Sequence, residues 1–199
     1  MKLRQSDLKN KKIAFFGGTF NPIHSGHLLS ALTVLEKLDY DLIIFLPANI
    51  PVHKDFKYKI KGHRRLKMIK LAIKDIKSFR VWDIELKRGG LTYTIDTINY
   101  FFRTFDYPFK PGFIIGNDLV PDLSSWRRID ELKELVEFIG LYRDKHGVTT
   151  EEFNIKWVDN RIYEISSSLI RERVKSGFPI NFLTPCGVCK YIYNRGLYL

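Results

Sequence analysis

Residues 13–27, IAFFGGTFNPIHSGH, decide how this chain is read. Ile13 to Phe16 is a short apolar run broken by Gly17-Gly18, the pattern of a strand buried on both faces. From His24 to Leu38, Leu28, Leu32 and Leu35 recur at helical spacing, so a helix begins just after Pro22. A strand, a glycine turn and a helix in that order aim first-turn N–H groups and the positive end of the helix dipole at one point. Paired glycines let the backbone approach a ligand closely, and the whole reads as a phosphate cradle. His24 and His27, three apart, project from one side of the first turn and can donate hydrogen bonds to phosphoryl oxygens. The bland alternative is a glycine turn with two solvated histidines. A zinc site lacks a third and fourth ligand nearby in sequence.

Working outward, Leu42 to Leu46 is a second buried strand ended by Pro47, and a helix follows from about His63 to Ile76. Phe79 to Leu86 reads as extended, Tyr93 to Phe105 as helical, and Gly112 to Ile115 as a strand stopped by Gly116. Then come a helix near Trp126 to Leu135, a strand Phe138 to Tyr142, an extended stretch Phe153 to Val158, and helices after Ser166 and Pro185. This alternation predicts an α/β fold with a central, mostly parallel sheet flanked by helices. Ligands bind such sheets beyond the carboxyl ends of the strands, here the loops after Phe16, Leu46, Ile115 and Tyr142. No linker divides the chain, so residues 1–199 read as one domain, with 1–11 a polar N-terminal tail.

Hydrophobic residues make up 45% of the 199 and charged residues 28%, ordinary globular usage that excludes disorder and low-complexity classes. No apolar run approaches the roughly 18 residues of a membrane span, and the run at Ile13 is too short for a signal peptide, so a cytoplasmic protein without membrane partners is expected. Two cysteines make no disulfide framework, and Cys186-Gly-Val-Cys189 reads as small apolar residues on the closing helix. The net charge of +11 is concentrated: Lys54 to Lys74 holds nine basic residues against Asp55 alone. A triphosphate or nucleotide satisfies such a region as well as a nucleic acid does, and no helix-turn-helix or aromatic-basic RNA motif is visible.

A second anion feature lies in Ile165-Ser-Ser-Ser-Leu-Ile-Arg171. Ser166 or Ser167 can cap the helix, and Arg171, one turn on, offers a charged fork to phosphate oxygens. Capping alone is the plain alternative.

GGTFNPIHSGH matches neither Gly-x-x-x-x-Gly-Lys-Ser/Thr nor Gly-x-Gly-x-x-Gly. It resembles the (H/T)-x-G-H signature of the nucleotidyltransferase superfamily. Pro47-Ala-Asn-Ile-Pro-Val-His-Lys54, the Arg65-Leu-Lys-Met68 helix, the stretch Ile84 to Thr97, Gly116-Asn-Asp118 with Trp126, and Ile165 to Arg171 then look, in order, like the bacterial nicotinate-nucleotide adenylyltransferases. The match runs on to Gly196-Leu-Tyr198.

The resemblance implies a Rossmann-like nucleotidyltransferase fold. It also implies transfer of AMP from ATP to nicotinate mononucleotide, giving nicotinate adenine dinucleotide and pyrophosphate in NAD biosynthesis. It places ATP on Gly17, Gly18, Thr19, Phe20, His24, His27, Gly116, Asp118, Ile165, Ser166, Ser167, Ser168 and Arg171. The nicotinate nucleotide falls to Lys54, Tyr93, Thr94, Asp118 and Trp126, with Trp126 as a stacking face, and the catalytic set is His24, His27, Lys54 and Arg171. Mg²⁺ would arrive through ATP rather than through a protein metal site. The partners implied are the two substrates, with no specific nucleic acid and a homo-oligomer left open. Asn21 stands where the family often has Asp, and Ser168 where it has Thr. Acid against amide preference in the pyridine is not readable, since backbone N–H groups could recognise a carboxylate and leave no trace.

Overall fold

The computed structural model describes residues 3–51, 60–142, 152–161 and 163–199. A continuous apolar run such as Leu42 to Leu46 has no polar face to turn to water, so each long strand must be covered on both sides. Six strands meet that demand in one sheet. In chain order they are β1 (Ile13–Gly18), β2 (Leu42–Pro47), β4 (Phe79–Val81), β6 (Gly112–Gly116), β7 (Glu137–Leu141) and β8 (Lys156–Val158). Their spatial order is β4-β2-β1-β6-β7-β8, and every neighbouring pair is parallel.

The order runs outward in both directions from the β1/β6 seam. Connections leave the seam on opposite sides, opening a crevice beyond the carboxyl ends of β1 and β6. Helices α2 (Ser25–Leu38), α3 (Gly62–Ile73), α7 (Ser167–Lys175) and α8 (Cys186–Asn194) cover one face over a core that includes Ala14, Ile43, Phe45 and Ile114. Helices α1 (Gln5–Leu8), α5 (Thr94–Thr104) and α6 (Ile129–Leu135) cover the other over Phe15, Ile44, Phe113 and Phe138. Adjacent residues of one strand thus serve two cores, as the pleat requires. The fold expected from the sequence is the fold observed. Among the described residues no helix is long and apolar enough to cross a membrane.

Several short elements differ from the sequence reading. Phe79 to Leu86 is extended only as far as Val81; Ile84–Arg88 forms helix α4, ended by Gly89 at φ 72. There Trp82 and Glu85 are both buried, and the Glu85 carboxyl accepts from Thr97 Oγ1 of α5 at 2.8 Å. Trp126 is not helical: a 3₁₀ segment, Asn117–Ser125, precedes it, and Arg128 at φ 54 breaks the path before α6 starts at Ile129. Two residues each from β3 (Ile50–Pro51) and β5 (Leu91–Thr92) pair in a small separate sheet. In the polar stretch 1–11, Leu3 and Leu8 are buried against the second core and the Arg80 Nε donates to Asp7 at 2.9 Å. The closing helix carries Cys186 exposed and Cys189 buried, both as free thiols.

Gly112 marks a point where the sheet tolerates no side chain. A Cβ there would stand 2.6 Å from both Ile139 Cδ1 and the Tyr40 hydroxyl, which itself donates to Glu137 at 2.8 Å. Gly112→Ala is expected to lower stability by about 2 kcal/mol through overpacking. A fall in the urea midpoint at constant m-value is the check, and an unchanged midpoint would show that Tyr40 and Ile139 can yield.

Candidate active site

The crevice holds a cavity of about 610 Å³, within the size range of small-molecule sites. Its floor is the turn leaving β1. At Gly17 an added Cβ would lie 3.2 Å from the Phe113 ring, and at Gly18 2.9 Å from the Phe20 ring, so both positions need glycine for close packing. Phe20, at φ 49 and buried, packs its ring against Phe16, His27 and Phe45. The chain then passes a cis Asn21–Pro22 bond and enters α2 with His24 as N-cap.

His24 and His27 cap the helix reciprocally. The His27 backbone N–H donates to His24 Nδ1 at 3.4 Å, and the His24 N–H donates to His27 Nδ1 at 3.2 Å. The rings lie 3.6 Å apart, tilted by 34°. An Nδ1 that accepts cannot carry a proton, so in each ring the proton sits on Nε2. Two imidazoles on the cavity wall are thereby fixed as Nε2–H donors, the form that suits phosphoryl oxygens. Gly26 makes room for this stack, because a Cβ there would be 3.0 Å from His24 Nδ1.

The turn is braced from α7. Ser166 caps α7 by accepting from Leu169 N at 3.1 Å, Ser167 Oγ donates to Pro22 O at 2.8 Å, and Arg171 donates to Asn21 O at 2.8 Å and to Ser168 Oγ at 2.9 Å. The three serines therefore do three different jobs. Gly17, Gly18, Thr19, Phe20, His24, His27, Ile165, Ser166 and Ser167 line the cavity, while Ser168 and Arg171 do not. Arg171 was expected as a fork open to phosphate; two of its nitrogens are instead engaged with the turn and with Ser168.

The opposite wall comes from β6 and α5. Gly116, Tyr93, Thr94 and Trp126 line it, and Trp126 packs edge-on to Phe113 and Phe138. Asp118 is exposed in the 3₁₀ segment and is not on the lining. Lys54 lies outside the described residues.

Four polar residues of the site escape the sequence reading. Arg65, 2% exposed, donates to Thr19 O at 2.7 Å and Asn49 O at 3.1 Å, locking the cradle to the loop after β2. Asn160 pairs with both backbone groups of Tyr142 at 2.8 Å, as a strand would. Arg127 lies over the Tyr93 ring. Glu85 is buried on the cavity wall and accepts from Thr97 Oγ1 at 2.8 Å. Only Arg65 left a signal, an arginine on the same helical face as the apolar Met68, Ile69 and Ala72.

Comparison with known proteins agrees with this geometry. A family model described as cytidylyltransferase-like matches residues 15–173. A Streptococcus pyogenes protein named "Probable nicotinate-nucleotide adenylyltransferase" is 40% identical over 195 residues, covering 98% of this chain and 91% of its own. A protein of the same name from Streptococcus mutans is 41% identical over 197 residues, with the same coverage. In fold, the chain is similar to a Plasmodium falciparum nicotinic acid mononucleotide adenylyltransferase solved with NaAD, at a TM-score of 0.72 and 22% identity over 95% of this chain and 98% of that one.

Burial pushes the Glu85 carboxyl up to about 7 from 4.5, against the opposing pull of Thr97, Arg88 and Arg65. An acid whose folded pKa is raised costs stability as it ionises. The native state holds a proton that the unfolded chain has released, so stability falls as pH rises from about 4.5 to about 7 and is level outside that window. Glu85→Gln keeps an acceptor for Thr97 and removes the titration. Between pH 5 and pH 8 the variant is expected to gain about 2 to 3 kcal/mol relative to the wild-type chain, read by urea unfolding at both pH values. A gap that stays constant would mean that Glu85 is already ionised in the native state at pH 5.

Proposed function

The chain belongs to the cytidylyltransferase-like family and, with 40% identity over nearly its whole length, to the nicotinate-nucleotide adenylyltransferases within it, and from that premise we infer how its residues divide the reaction. The reaction transfers AMP from ATP to nicotinate mononucleotide and belongs to NAD biosynthesis. An oxygen of the acceptor's 5′-phosphate attacks the α-phosphorus of ATP, the bond from that phosphorus to the β-phosphate bridging oxygen breaks, and pyrophosphate leaves. The attacking oxygen is already an anion, so the step needs neither a general base nor a protein nucleophile. What remains for the protein is to align two polyanions and to stabilise the charge that develops between them.

The reciprocal capping of His24 and His27 carries this reading. It supports a role for both Nε2–H groups as donors to the α-phosphate oxygens, held in place before substrate arrives and so spared reorganisation during the step. Gly17 to Phe20, Gly116 and the segment Ile165 to Ser167 hold ATP in this assignment, with Tyr93, Thr94 and Trp126 forming the wall for the nicotinate nucleotide. Arg171 and Ser168 act from behind the lining, keeping α7 and the Asn21 turn together while the arginine adds positive potential. The same assignment gives a ribose hydroxyl to Asp118 at the rim and the phosphates to Lys54, which lies outside the described residues. Among the described residues no group of three or more His, Cys, Asp or Glu could hold a metal ion. Mg²⁺ would arrive with ATP in this reading and would neutralise charge on its phosphates. The protein works in this reading as a cytoplasmic enzyme.

Pyrophosphate release from MgATP with nicotinate mononucleotide is the direct test. The wild-type chain is expected to turn over, and His27→Ala to lose about a hundredfold in kcat, the scale of a removed charge-stabilising donor. Undiminished turnover in His27→Ala would remove that histidine from the chemistry, and silence of the wild type would remove the activity.

A further inference from the structure

Phe20 stands in the cradle at φ 49, in the left-handed region, where a side chain larger than glycine crowds its own backbone. An arginine grips the carbonyl on either side of it. Arg65 Nη1 donates to Thr19 O at 2.7 Å, and Arg171 Nη1 donates to Asn21 O at 2.8 Å. The two grips differ in consequence. Asn21 O belongs to the peptide with Pro22, whose nitrogen carries no hydrogen, so its direction sets no donor. Thr19 O belongs to the trans peptide with Phe20, and in a planar trans peptide the N–H points opposite to the C=O.

That direction is the cavity. Thr19 and Phe20 line it, whereas Arg65, 2% exposed on α3, lies behind the lining. A carbonyl turned back to Arg65 therefore sends the Phe20 N–H forward, into the space whose wall carries His24 and His27. The reverse orientation is the one the backbone favours by itself. Turning this amide over, by about 180°, carries φ of Phe20 from 49 to about −130, extended backbone that any residue adopts. The rotation runs about the line joining the two Cα atoms and leaves both side chains in place. The contacts of the Phe20 ring with Phe16, His27 and Phe45 thus do not choose between the orientations. A bond to Thr19 O does choose, and Arg65 makes it with a charged donor. Turned over, the amide would meet the phosphates with its oxygen instead of its hydrogen.

We propose that Arg65 is a positioning residue for the transfer: its bond to Thr19 O holds the Thr19–Phe20 peptide against a flip, so that the Phe20 N–H stays aimed at the phosphates. The inference rests on the adenylyl-transfer reading above. The second bond of Arg65, to Asn49 O at 3.1 Å, fixes the guanidinium itself on the loop after β2. Substrate then meets a donor already turned toward it, and no rotation of the amide is left for the reaction step.

The test reads this amide directly. Thr19–Phe20 and Thr104–Phe105 are the two Thr–Phe pairs in the chain, so threonine labelled with ¹³C at the carbonyl and phenylalanine labelled with ¹⁵N leave two amide signals in a carbonyl-filtered spectrum. Thr104 and Phe105 are off the cavity lining and serve as the internal control. In the wild-type chain the non-reacting analogue α,β-methylene-ATP with Mg²⁺ is expected to move the Thr19–Phe20 signal and leave the other. Arg65→Met keeps the length of the side chain and loses both donors; its kcat for pyrophosphate release is expected to fall about a hundredfold, with KM for ATP within about threefold of wild type and a smaller shift of the Thr19–Phe20 signal. Arg65→Lys keeps one charged donor and is expected to fall about tenfold in kcat, which decides the matter should Arg65→Met fail to fold. A packing role alone lowers the urea midpoint of both variants and leaves kcat of the folded protein unchanged. A wild-type Thr19–Phe20 signal that ignores the nucleotide overturns the proposal, as does a folded variant of either kind with kcat within about twofold of wild type. A wild-type chain that releases no pyrophosphate with nicotinate mononucleotide defeats the adenylyl-transfer reading instead, and the two failures are thus told apart.

Discussion

The hydroxyl of Tyr198 donates to Asn21 Oδ1 at 2.8 Å, closing a contact across 177 positions of sequence in a buried place. Three further hydrogen bonds converge on the same turn, from Arg171 to Asn21 O, from Ser167 to Pro22 O, and from Ser25 Oγ onward to Phe182 O. On this turn depends the direction in which β1 delivers the chain into α2. Were it to relax, His24 would leave the N-cap, and the tautomer that its partner enforces would be lost with it. Burial also raises the Tyr198 pKa, which keeps the hydroxyl a donor at any ordinary pH. Asn21 stands where the family often has Asp, and a neutral amide oxygen is here enough to receive it.

The net charge of +11 is a poor guide to where the chemistry lies. At and within α3 the same basic run puts the N-cap Lys61 and Lys67 in water and Arg65 in the core. Arg65 is bonded to two carbonyls, Thr19 O and Asn49 O, and Asn49 in turn donates its N–H to Thr92 Oγ1 and its Nδ2 to Gly90 O. A guanidinium so placed ties the floor of the cavity to the edge of its aromatic wall. Desolvation by burial lowers its pKa. The surface lysines contribute potential, whereas this single buried cation contributes shape.

The long strands and the cradle were legible because their causes are local. A strand buried on both faces has to be a continuous apolar run, and a backbone that must touch a ring has to be glycine, as at Gly17 and Gly18. The errors share the opposite character. Helix α4 exists because Glu85 reaches Thr97 on the next helix, and Trp126 sits outside a helix because Arg128 takes a left-handed turn beside it. Polar residues of the site such as Asn160 and Arg127 work through partners that hydrophobic periodicity does not record. In the motif from Ile165 to Arg171 the division of labour among the serines and the arginine depends on a turn some 145 residues earlier, which local spacing does not record.

The cavity straddles the seam between β1 and β6, with walls drawn from both halves of the sheet. A molecule lodged there touches two halves that meet nowhere in the unfolded chain, so it binds the native state alone. Its presence adds stability as RT ln(1 + [L]/Kd), about 2.7 kcal/mol at a hundred times Kd, a sizeable part of what holds a domain together. Metabolite supply then governs more than flux. A chain without its ligand lacks that contribution, and the seam between β1 and β6 opens more often by the same factor.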